Sequence, residues 1–155
     1  MHKANRPNRF VITGGPGAGK TTVLRALAER GYHHVPDSAR MIIQKRKASG
    51  LSPRPSPDQF GRDILRMDID GYRATSITDA PVFFDRGIVD ALGMLDQQDA
   101  ISLADTEAYM KAFPYHEMVF VMPPWQDIYT NDAERDQTFS ESVQVYESVK
   151  QWYAQ

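Results

Sequence analysis

The chain has 155 residues with 18 basic against 20 acidic side chains, a net charge of −2 at pH 7, so it lacks the electrostatic footprint of a nucleic-acid binder. It has no cysteine, which excludes disulfides and thiolate–zinc sites and fits a reducing compartment. Its four histidines, at 2, 33, 34 and 116, lack metal-ligand spacing, and no stretch approaches the roughly 20 apolar residues that span a bilayer.

The basic lead-in MHKANRPNR is followed only by FVIT before a run of glycines, far short of a signal-peptide core, so the expected location is cytoplasmic. Length predicts one domain over 1–155. Apolar runs alternating with helical patterns predict an α/β fold with a parallel sheet. RFVITG, residues 9–14, reads as a strand buried on both faces. Val23, Leu24, Leu27 and Ala28 then repeat at helical spacing up to Gly31, a helix stop. YHHVPD is the second strand and SARMIIQKRKASG the next helix. The three prolines of LSPRPSP, residues 51–57, predict a surface loop. Phe60, Ile64, Met67 and Tyr72 mark one face of a helix over 58–73. APVFFDRG is the third strand, IVDALGMLDQQ and LADTEAYMKAF are helices, and HEMVFVMPP is the fourth strand. A last helix, from about Asp132 to Tyr153, carries Phe139, Val143, Tyr146, Val149 and Tyr153 on one stripe.

Residues 14–21, GGPGAGKT, fit the phosphate-binding loop G-x-x-x-x-G-K-[ST] without a gap, between a buried strand and a helix. In such a loop Gly14, Gly15, Gly17, Ala18 and Gly19 turn backbone N–H groups toward phosphate oxygens. The helix that begins near Lys20 adds its N-terminal donors and positive dipole end. Lys20 would reach the β- and γ-phosphates, the Thr21 hydroxyl would ligate Mg²⁺, and Thr22 would lie near the α-phosphate. A plain glycine turn explains the glycines but not the lysine–threonine pair.

Asp85, closing VFFD, is the second magnesium-side acid such a site needs; the bland alternative is a cap on the following helix. Its neighbour is Arg86, where hydrolysing motors commonly carry a glutamate, which favours transfer to a bound acceptor over motor activity. Asp37 ends the second strand on the same sheet edge. There it would accept the proton of an attacking hydroxyl, with Arg40 one turn along to hold substrate; alternatively it caps the next helix. In PPWQDIYTNDAERDQTF, residues 123–139, Arg135 would close on the transferring phosphoryl group. The bland reading makes Asn131 or Asp132 a helix cap and Arg135 part of a helical ion pair. Trp125 and Tyr129 read as packing more readily than as a stacking platform.

Taken together, GGPGAGKTT, VPDSAR, PVFFDRG followed by DAL, and PPWQDIYTNDAER resemble the small P-loop proteins of the AAA-type ATPase group. Relatives of that group include the kinase domain of nicotinamide riboside kinases and, more distantly, deoxynucleoside kinases. The resemblance covers residues 9 to about 150. It implies a three-layer P-loop kinase-like core with Lys20 and Thr21 on nucleotide and Mg²⁺, Asp85 in the magnesium-side position and Arg135 in a lid. It also implies Asp37 as general base and Arg86, on the acceptor side, as the arginine that follows the third-strand acid. Two departures stand out: Arg135 is a lone lid arginine, and the group's fifth strand is missing from a sequence that ends at Gln155.

The expected function is ATP-dependent transfer of a γ-phosphoryl group to the hydroxyl of a small, nucleoside-like acceptor. The alternatives are a nucleotide-state regulator or slow NTPase, and a toxin-type kinase acting on a larger substrate. No N-K-x-D guanine motif occurs, which favours ATP over GTP. Acceptor identity and oligomeric state are not encoded in any motif here.

Overall fold

The computed structural model describes residues 7–15, 18–75, 80–124 and 139–155. Strand β1 (Arg9–Gly14) leads into helix α1 (Lys20–Glu29), then β2 (His33–Val35), α2 (Ser38–Ala48) and α3 (Pro57–Ala74). The chain continues through β3 (Val82–Asp85), α4 (Ile88–Gln97), α5 (Leu103–Ala112), β4 (Phe120–Met122) and α6 (Phe139–Tyr153). The described strands form one parallel sheet in the order β2-β3-β1-β4. The predicted alternation and parallel sheet are therefore observed. Four strands are present among the described residues.

The β1 run is buried at Val11, Ile12 and Thr13, as a central strand with helices on both faces must be. Val11 pairs with Phe84 and Ile12 with Asp85, so Asp85 stands at the carboxyl edge just short of the glycine loop. Beneath the sheet, Phe60, Ile64 and Leu65 of α3 pack with Ile88, Leu92 and Leu95 of α4 around Val11 and Phe84. The 3.6-residue spacing of those positions puts them on one face of each helix.

Three strands are shorter than the sequence pattern predicts; β3 keeps only Val82–Asp85 of APVFFDRG. β2 stops at Val35 because Pro36 offers no N–H to a ladder and Asp37 already caps α2. The HEM segment does not join β4. His116 donates its backbone N–H to the carbonyl of Arg9 at 2.7 Å, and its Nδ1 accepts from the Met118 N–H at 3.0 Å, forming a local turn. The last helix is seen from Phe139; the predicted start near Asp132 lies outside the described residues.

Candidate active site

Helix α1 begins directly after the glycine-rich turn. Gly19 precedes the helix at φ 88, a left-handed conformation suited to glycine, and no side chain caps the first turn. Lys20 is buried, and its Nζ donates to the Gly15 carbonyl at 3.3 Å. Thr21 and Thr22 follow on the exposed side of the turn. Gly15 is pressed against α6: a Cβ added there would lie 2.4 Å from the Ser142 carbonyl oxygen. The loop thus rests on α6 as well as on β1. Gly17 lies outside the described residues.

A cavity of about 240 Å³ opens at this edge of the sheet, and Lys20, Thr21, Asp37, Arg40, Asp85 and Arg86 all line it. The structure therefore brings together six of the residues singled out in the sequence, contributed by α1, the β2–α2 junction and the β3–α4 junction. Ile43, Phe60, Met94 and Val145 supply an apolar part of the wall. A second cavity of about 330 Å³ runs between α1 and α2 and shares Thr21, Asp37, Arg40 and Asp85 with the first. Arg135, Trp125 and Tyr129 lie outside the described residues.

The β3–α4 junction is strained and only partly satisfied. Arg86 adopts φ 65, unusual for a residue with a Cβ, and its N–H donates to the Ile12 carbonyl at 2.9 Å. Gly87, not Asp85, is the N-cap of α4, and the Asp90 carboxylate accepts its N–H at 3.0 Å. The capping explanation for Asp85 is thereby excluded. Among the described residues, Asp85 Oδ1 and Arg86 Nε are the buried side-chain polar atoms without a hydrogen-bond partner. Native interiors rarely leave such groups unpaired. Both residues line the cavity.

Burial raises the Asp85 carboxyl above its ordinary value, and Asp37 adds to this; Lys20, Arg86 and Arg40 oppose it. For Arg86, burial works against the charged form, but Asp37, Asp90, Asp85 and Asp68 outweigh it and hold the guanidinium above its ordinary value. Asp37 accepts the Ala39 N–H at 3.0 Å, so it caps α2 while also facing the cavity.

A Mg²⁺ ion fits this chemistry. Among the described residues, no three His, Asp or Glu side chains gather to cage a metal. Magnesium bound with nucleotide needs only one or two protein oxygens plus phosphates and water. Thr21 and the unpartnered Asp85 oxygen meet that need.

Three residues at the site escaped the sequence reading. Arg54, from the proline-rich segment, lines the cavity, although that segment read as a surface loop. Asp68 of α3 is buried and accepts from the Ser38 hydroxyl at 2.5 Å, bracing the residue after Asp37. Asp90 binds Thr13, Gly87 and Tyr153 together. Only Asp90 left a local signal, as an acid three residues after a glycine at a helix start.

The AAA-domain family model matches residues 9–155. No curated protein matches the chain. Among solved structures, the NadR protein in complex with NR aligns with TM-score 0.67 at 17% identity, over 96% of this chain and 42% of that one. This chain thus spans less than half of that protein. Deoxyadenosine kinase from M. mycoides with bound dATP aligns with TM-score 0.59 at 12% identity, over 95% of this chain and 84% of that one. At such identities the likeness establishes the fold, a P-loop kinase-like arrangement. Among the described residues, no helix is long and apolar enough to cross a membrane.

Proposed function

The chain belongs to the AAA-domain family of P-loop proteins, and on that footing we propose that it is a Mg²⁺-ATP-dependent kinase that phosphorylates a hydroxyl of a small acceptor. One observation carries this reading: Asp37, Arg40 and Arg86 share a single cavity with Lys20, Thr21 and Asp85. A nucleotide-only site has no need of a carboxylate and two guanidiniums from separate junctions on its acceptor side.

In this reading the backbone of residues 14–19 and the open start of α1 hold the phosphates, with Lys20 moving from the Gly15 carbonyl to the β- and γ-oxygens. Thr21 and Asp85 would hold Mg²⁺, which would supply neutralisation of phosphate charge. The acceptor oxygen attacks the γ-phosphorus in line, the bond to the β–γ bridging oxygen breaks, and ADP departs with that electron pair. Asp37 takes the hydroxyl proton. Arg86 and Arg40 orient the acceptor, and Arg135 is the candidate to neutralise developing charge. The kinase neighbours, including the deoxyadenosine kinase, support a hydroxyl acceptor of nucleoside type.

A nucleotide-state regulator or slow NTPase is the second reading. Asp37 favours it in one respect, because capping α2 alone accounts for a carboxylate at that position. Calorimetry with Mg²⁺-ATP and Mg²⁺-GTP, for the native chain and Lys20→Ala, tests the nucleotide half of the proposal. Mass spectrometry of hydroxyl compounds after incubation with Mg²⁺-ATP tests the transfer half. A compound heavier by one phosphoryl group supports the kinase; nucleotide binding with every compound unchanged supports the regulator.

A further inference from the structure

Helices α4 and α6 do not close fully on one another. Between them lies a further cavity of about 360 Å³. One wall of it is set by a glycine. Gly93 stands inside α4, where glycine is less favourable than alanine. A Cβ there would lie 3.0 Å from Trp152 Nε1 and 3.1 Å from its Cδ1, closer than ordinary contact. The missing side chain lets the Trp152 indole rest directly against α4, and that indole lines the cavity.

The lining selects among ligands. Met94, Val145 and Val149 supply apolar surface, and the Gln97 and Gln144 amides with the Ser148 hydroxyl supply donors and acceptors. Its two charged residues, Asp90 and Glu141, are acids, and among the described residues no basic side chain lines it. A phosphate or carboxylate group would find no counter-charge there. An uncharged ring with polar edges meets an aromatic wall and adaptable hydrogen-bonding groups. Gln97 Nε2 donates to Ser148 Oγ at 3.4 Å, a long contact that a better-placed ligand atom can replace.

Size and position connect this cavity to the candidate active site. The space beside Lys20, Asp37 and Asp85 measures about 240 Å³. That is below the roughly 300–1,000 Å³ of small-molecule pockets, and the end of the nucleotide's phosphate chain must share it. Met94, Gln97 and Val145 line both cavities, so the two spaces adjoin across these side chains. Methionine is unbranched and adapts its shape readily, so this boundary can yield. We propose that the α4–α6 cavity takes the uncharged ring of a nucleoside-type acceptor, whose hydroxyl end reaches Asp37 across that boundary. The inference rests on the kinase reading and adds to it where the acceptor's ring is held and by which residues.

Tryptophan fluorescence tests it without turnover. Trp125→Phe leaves Trp152 as the one tryptophan of the chain. The full chain is saturated with Mg²⁺ and a non-hydrolysable ATP analogue, whose own affinity is measured. Adenosine, guanosine, cytidine, uridine and ribose are then titrated separately. At least one nucleoside should change the Trp152 emission saturably, whereas ribose, which lacks the ring, should not. Ser148→Phe, which fills the cavity, should weaken that nucleoside at least about tenfold, the weight of one base–aromatic contact. Gln144→Ala adds no bulk and should weaken it roughly 2- to 10-fold, as for one neutral hydrogen bond. Gln151→Phe, at an exposed position of α6 outside the cavity lining, should bind as the parent does. No response to any nucleoside, or binding unweakened in both cavity variants, overturns the proposal. Weakening of the analogue by Ser148→Phe would assign the cavity to the nucleotide's base and overturn it too. A nucleoside that binds here yet gains no phosphoryl group from Mg²⁺-ATP would instead overturn the kinase reading and leave the ring site standing.

Discussion

Thr13 and Asp90 are 77 positions apart, yet the Thr13 hydroxyl donates to Asp90 Oδ1 at 2.6 Å. Thr13 immediately precedes the glycine loop, and Asp90 sits in the first turn of α4. The other oxygen of Asp90 accepts the Gly87 N–H at 3.0 Å and the Tyr153 hydroxyl at 2.5 Å. One carboxylate thus ties the phosphate-loop strand, the strained Arg86 turn and the end of α6. Asp90→Ala should cost about 2–4 kcal/mol, because leaving a buried donor unpaired costs about 1–3 kcal/mol. Asp90→Asn, which keeps the acceptor for Thr13, should cost less. Denaturant midpoints of the two variants check this; equal losses would contradict it.

Asp37→Asn separates the two roles of that side chain. Asparagine caps helices as well as aspartate does, so stability should stay within about 0.5 kcal/mol. Transfer should fall by roughly 10²–10⁴-fold, as for a lost general base. Thermal melts and steady-state rates on the same preparation decide the matter. An unchanged rate would reduce Asp37 to a helix cap.

Gly15→Ala should disturb the loop through α6. The new Cβ would collide with the backbone at Ser142, a fully buried residue that cannot yield as a flexible side chain would. A loss of about 1–3 kcal/mol is expected, typical of overpacking, together with weakened nucleotide affinity. Native affinity and stability in this variant would show that α6 does not set the loop.

Burial raises the Asp68 carboxyl well above its ordinary value of 3.8; the Ser38 hydrogen bond opposes this, Asp90 and Asp37 add to it, and Arg86 opposes it. The folded state therefore holds this proton more tightly than the unfolded chain. The resulting stabilisation is complete below the ordinary carboxylate range and is lost as pH rises through the folded value. Asp68→Asn keeps the acceptor for Ser38 but has no proton to lose. Its melting temperature relative to the native chain should climb with pH above about 4. A difference that stays constant with pH would contradict the assignment.

The phosphate loop was legible because its conformation is local: glycines permit the turn, and the lysine–threonine pair follows the buried strand directly. The strand cores and the α3 and α4 faces were legible for a similar reason, since their periodicity reflects one buried side. Strand ends were less so: Pro36 ends β2 only by lacking an N–H, and the His116 turn bonds to Arg9, far off in the chain. Asp68 was invisible as a site support because its partner Ser38 comes from another element, and Asp90 showed only its place at a helix start, not its tie to Thr13. Arg54 was hidden by its own prolines, which mark a loop in sequence, whereas Arg46 of α2 holds that segment through the Ser52 carbonyl.

The most direct measurement is ADP formation from Mg²⁺-ATP by the purified chain, with and without a panel of hydroxyl compounds. The kinase account predicts that one acceptor raises the rate at least about tenfold above the acceptor-free level, and that Asp37→Asn abolishes the increase. ADP formation indifferent to every acceptor, and unaffected by Asp37→Asn, would contradict it.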